Sequence, residues 1–91
     1  MSTSMQPTSL EAFEAIKPKL GQAQQRVLDV FYENPDIRDW TNAELASNLG
    51  WSINRVTGRV YELRQLGILE ESRQRSCRIT GYTAIAWKIK R

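Results

Sequence analysis

A chain of 91 residues, 41% of them apolar and 25% charged, has the make-up of one small globular domain, not of a disordered or membrane-spanning segment. It contains no histidine and one cysteine, Cys77, which excludes a histidine-based catalytic triad, an imidazole metal ligand, a cysteine zinc site and any disulfide within the chain. The net charge of +3 is divided unevenly: residues 1–50 carry four basic against seven acidic residues, whereas residues 51–91 carry nine against three. An acidic front half and a basic back half point to a polyanionic partner for the back half.

The N-terminus, Met1 to Gln6, is small and polar, with neither a basic segment nor an apolar stretch of the kind that directs export. No apolar run approaches the ~20 residues needed to span a bilayer, and a lone cysteine fits a reducing cytoplasm. Residues 1–8 read as a flexible tail and residues 9–91 as a single domain. Ser9 can cap a helix from Leu10 to Leu20, in which Leu10, Phe13, Ile16 and Leu20 recur at helical spacing and Pro18 interrupts. That apolar stripe suits either the domain's own core or a homodimer with a second copy. Past Gly21, a second helix is predicted over about Gln22 to Glu33, with Val27, Leu28 and Phe31 inward and Asn34-Pro35 ending it.

Asp36 to Trp40 reads as a short extended linker that offers Ile37 and Trp40 to the core. Asp36 and Asp39 flank it as exposed carboxylates with no partner base. Thr41 and Glu44 have the spacing of a capping box, Leu45, Ala46 and Leu49 face inward, and Gly50 is placed to end that helix in a left-handed turn. Ser52 caps the next helix, which runs to about Leu66 with Ile53, Val56, Val60 and Leu63 toward the core. Gly67 closes it. Ile68 to Ile79 and Thr83 to Ile89 then read as two strands joined by Thr80-Gly81-Tyr82, with Ile85, Trp87 and Ile89 on one face and Cys77 and Ile79 able to join them. The predicted class is mainly α with a small antiparallel β-hairpin.

This order of elements is the winged helix-turn-helix plan. Thr41-Asn-Ala-Glu-Leu-Ala-Ser-Asn-Leu-Gly50 resembles the first helix of the helix-turn-helix in many bacterial and phage regulators. Residues 52–69 look like their recognition helix, and Arg75 to Trp87 is similar to the wing of small phage- and prophage-encoded proteins. The resemblance covers residues 41–89, with the helix-turn-helix over 41–66 and the wing over 68–89. It implies a cytoplasmic, nucleoid-associated protein that binds double-stranded DNA as a transcriptional regulator, without cofactor, metal or membrane.

The residues agree with that placement. If Ile53, Val56, Val60 and Leu63 turn inward, Ser52, Asn54, Arg55, Gly58, Arg59 and Glu62 are left on the opposite side. A helix fits the major groove, where an arginine fork can bond guanine and an asparagine can bond adenine. Asn54, Arg55, Gly58 and Arg59 are therefore the candidate base contacts. Ser52 and Thr41, at helix N-termini that attract anions, together with Arg73, Arg75 and Arg78, are the candidate backbone contacts, the wing (residues 73–82) lying on the backbone or in the minor groove. Two other readings stand beside this one: a protein–protein interaction module on the same scaffold, using the acidic front half, and a sequence-independent architectural or replication-associated DNA binder. An enzyme is not expected, since no nucleophile–base pair and no phosphate-binding glycine loop is present.

Overall fold

The computed structural model describes residues 20–91. They form a small α+β domain of three helices and a three-stranded antiparallel sheet. In chain order these are α1 (Gln22–Glu33), β1 (Trp40–Thr41), α2 (Asn42–Leu49), α3 (Ile53–Gln65), β2 (Leu69–Ser76) and β3 (Thr83–Ile89). The expected tail and nearly all of the expected helix from Leu10 to Leu20 lie outside the described residues. Leu20 itself packs against the core.

Local signals account for the helix boundaries. At α2, the Thr41 hydroxyl accepts the Glu44 N–H at 3.2 Å while the Glu44 carboxylate accepts the Thr41 N–H at 3.0 Å, closing the capping box. Gly50, at φ +71°, turns the chain out of α2, and its N–H and that of Trp51 both donate to the Ala46 carbonyl. Ser52 then caps α3 by accepting the Arg55 N–H at 3.2 Å. Residues 50–52 alone separate the two helices, so their relative orientation is set by a very short connection.

Three features differ from the sequence reading. First, Trp40 and Thr41 form an additional strand: they pair with Trp87 and Ala86, giving the sheet order β1-β3-β2. The domain therefore carries a three-stranded sheet where a hairpin was expected. Second, β2 stops at Ser76, not at Ile79. The Cys77 N–H donates to the Tyr82 carbonyl and the Gly81 N–H to the Cys77 carbonyl, so the turn begins at Cys77 and Ile79 is exposed, not facing inward. Third, Ile53 is 46% exposed: at the first position of α3 it has left the inward stripe that Val56, Val60 and Leu63 form. A register shift between Glu71 and Arg73 interrupts the β2–β3 ladder, as a bulge does where a strand is bent over its neighbours.

The core lies between the helices and the sheet. Val27, Leu28, Val30 and Phe31 of α1 meet Leu45 of α2 and Val56, Val60 and Leu63 of α3, with Trp40, Leu69, Trp87 and Ile89 closing it from the sheet. Phe31 and Trp40 meet edge to face at 6.5 Å. Trp40 is inserted as expected, with Ile37, Leu49 and Trp51 partly buried around it. Among the described residues, no helix is long and apolar enough to cross a membrane.

Candidate functional site

Among the described residues, none covers the face of α3 opposite Val56, Val60 and Leu63. Asn54, Arg55, Tyr61 and Gln65 are exposed there, with Gly58 half-buried at the centre and Ser52 exposed at the helix start. Arg55 does not extend loosely. Its guanidinium carbon lies 3.7 Å from the centre of the Trp51 ring, which fixes the cation beside the N-terminus of α3. Trp51, in the turn before α3, thus acts both as a partial core residue and as a platform for this arginine.

Arg59 behaves differently. Its Nε and Nη2 both donate to the Glu62 carboxylate at 2.8 Å, and Gln24 of α1 donates to the same carboxylate at 2.8 Å. These bonds, Arg59's first, hold the Glu62 carboxyl below its usual range. In the free domain the guanidinium edge of Arg59 is engaged by Glu62 at the helix surface. Glu62, held by Arg59 within α3, links that helix to the start of α1 through Gln24.

The hairpin arginines are the largest departure from the sequence reading. Asp39, expected on an exposed linker, has no exposed surface, and Glu44 is also buried. Arg75 joins them: its Nε donates to Asp39 Oδ1, while Nη1 and Nη2 donate to the two Glu44 oxygens, all at 2.8 Å. Nη2 also reaches the Asp39 carbonyl at 2.9 Å. With only 14% of its side chain exposed, Arg75 is not accessible to a phosphate, and that candidate contact is corrected to a structural one. Its position follows from the register that sets Arg75 opposite Ala84 on β3.

Arg73 and Arg78 complete the cluster from its rim. Arg73 Nε donates to Asp39 Oδ2 at 2.9 Å beside Ser72, which bonds the same oxygen at 2.7 Å. Arg78 donates its backbone N–H to Glu44 at 2.8 Å but keeps only long side-chain contacts, 3.3 and 3.4 Å, to the Asp39 carbonyl and Glu44. Their side chains remain 46% and 50% exposed. Two carboxylates therefore face three guanidiniums, leaving surplus positive charge at the surface on Arg73 and Arg78. Burial pushes the Asp39 carboxyl up, but the bonds from Ser72, Arg73 and Arg75 outweigh it and bring the pKa to about 2. Glu44 reaches about 2 in the same way: burial raises it, while Arg75 and the N–H groups of Arg78 and Thr41 lower it further.

Thr41 is also buried, its hydroxyl engaged by the Glu44 N–H and by Cys77 Sγ at 3.1 Å. It shapes the junction of β1, α2 and the hairpin, and as a surface backbone contact it is corrected. Ser52 keeps its exposed place at the start of α3. An open cleft of about 340 Å³ lies between that helix start and the hairpin, lined by Asn42, Ile53, Cys77, Thr80, Ile85 and Trp87 among others. The N-terminal end of α3 and the hairpin turn accordingly flank one opening.

Tyr61 was not singled out from the sequence, although it lies on the same helical face as Gly58 and Asn54, three and seven positions on. That spacing was the available signal. Arg64, over the Trp87 ring at 5.7 Å, is a second exposed cation beside the sheet. Neither Arg55 nor Arg64 is in an ion pair with a described carboxylate. No protein-family model matches the chain, and no curated protein matches it in sequence.

Proposed function

We propose that this domain is a winged helix-turn-helix that binds duplex DNA, laying α3 in the major groove and the β2–β3 hairpin against the neighbouring backbone. The observation that carries this reading is the open polar face of α3, where Asn54, Arg55 and Tyr61 stand exposed, with Ser52 at the helix start, beside a hairpin with half-exposed Arg73 and Arg78. The order of elements, with the short turn of residues 50–52 between two capped helices, agrees with that plan. Asn54 and Arg55 are the groove-facing hydrogen-bonding groups. Arg73 and Arg78 meet phosphates, and Ser52 with the first N–H groups of α3 adds an anion-favouring helix terminus.

Selection from a randomised duplex pool, followed by titration of the recovered duplex, tests this. Asn54→Ala with Arg55→Ala should weaken binding to the selected duplex by about 10–100-fold, in line with a few kcal/mol per good bidentate contact, while binding to unselected duplex changes little. Arg73→Ala or Arg78→Ala should weaken binding to every sequence and lower the salt slope by about 1 each. No retention of any duplex at low salt would favour a protein-docking module. Retention without sequence preference and with a steep salt slope would favour an architectural role.

A further inference from the structure

Gly58 occupies the middle of α3, where glycine weakens a helix relative to alanine. Nothing among the described residues requires it. Its backbone is not among the positive-φ glycines, which are Gly50, Gly67 and Gly81. A Cβ built on it meets no atom within 4 Å. The absent side chain therefore leaves a notch of bare backbone on the open face, bounded by the exposed residues Asn54 and Tyr61, each about one helical turn away.

We propose that Gly58 is the point of closest approach between α3 and the floor of the DNA major groove, with base edges packed against the helix backbone and Asn54 and Tyr61 reading the base pairs on either side. This deepens the DNA-binding reading and rests on it. A helix with its side chains is roughly 10–12 Å across, and the groove is about 12 Å wide. Depth is thus limited by whatever projects from the leading face. Removing a side chain at the centre of that face lets the backbone settle deeper, and it brings the short Asn54 side chain within reach of a base edge. Arg55, four positions before Arg59 on the same helix and held over Trp51, supplies positive charge near the notch that suits a polyanion.

Gly58→Ala separates a role in binding from a role in folding, because the two move in opposite directions. The variant should melt about 4 °C or more above the wild type. It should bind the duplex selected from a randomised pool about tenfold more weakly, with affinity for unselected duplex nearly unchanged. Gly58→Leu, also a good helix former, should lose more affinity than alanine. Undiminished affinity of Gly58→Ala for the selected duplex overturns the notch and leaves the DNA reading standing. A lower melting temperature for Gly58→Ala shows that the fold needs the glycine and also overturns it. A wild-type chain that retains no duplex from the pool overturns both.

Discussion

Arg75→Ala is expected to lower the stability of the domain by about 3–5 kcal/mol, the cost of removing one partner from a buried ion cluster. The loss exceeds that of an ordinary ion pair because Asp39 and Glu44 stay where they are. Both are buried, and both receive their shortest guanidinium bonds from Arg75. Without it, Asp39 retains Ser72 and Arg73, and Glu44 retains N–H donors and a distant Arg78, so two charges sit in a poorly hydrated site with too few compensating groups. Small domains have roughly 5–15 kcal/mol in total, so the loss removes a large share of the stability. Arg75→Lys should recover only part of the loss, since an ammonium cannot reproduce a fork reaching two carboxylates at once. Arg73→Ala and Arg78→Ala, on half-exposed side chains, should each cost about 1 kcal/mol or less. Urea denaturation of the four variants checks the ranking. A stability for Arg75→Ala within about 1 kcal/mol of wild type would show that the carboxylates do not depend on it.

Acid should dismantle the same cluster. The folded-state values of about 2 for Asp39 and Glu44 lie below the ordinary 3.8 and 4.5, so as the pH falls the unfolded chain takes up protons before the folded one does. Their contribution is complete above about pH 5 and is lost progressively down to pH 2. At ~1.4 kcal/mol per pH unit of difference, Asp39 contributes roughly 2 to 3 kcal/mol at neutral pH and Glu44 roughly 3 to 4. Denaturation between pH 7 and pH 3 should reveal a stability that is flat at first and then falls steeply below about pH 4.5. Asp39→Asn should be less stable at pH 7 and show a shallower acid limb, because one of the two linked protons is gone. A wild-type stability independent of pH down to 3 would contradict the cluster as described.

The two effects bear on function through the hairpin. Arg75 fastens β2 to the Asp39 end of the linker and to the first turn of α2, immediately beside the cleft that α3 shares with the hairpin turn. In the DNA-binding reading, the hairpin's reach toward the backbone is therefore set by a buried arginine, while its charge is presented by two others.

What the sequence by itself determined is local. The capping box at Thr41 and Glu44, the glycine turn at Gly50, the serine cap at Ser52 and the stripe Val56–Val60–Leu63 all depend on groups three or four residues apart, and their effect is the same wherever the helix is placed. The open face of α3 with Asn54 and Arg55 follows from that stripe. Tertiary structure alone decided which cations remain at the surface. Arg75 and Asp39 are separated by 36 positions in the chain, and no periodicity marks their meeting. A two-residue strand such as Trp40–Thr41 is too short to show alternation, so its pairing with β3, and the burial of Asp39 beside it, were illegible. The pairing of Arg59 with Glu62, by contrast, is an i,i+3 contact within α3 whose spacing is present in the sequence. Hydrogen-bonded caps are short-range and survive any packing, whereas the distant partner of a charge is chosen by strand register and helix placement, which only the assembled core determines.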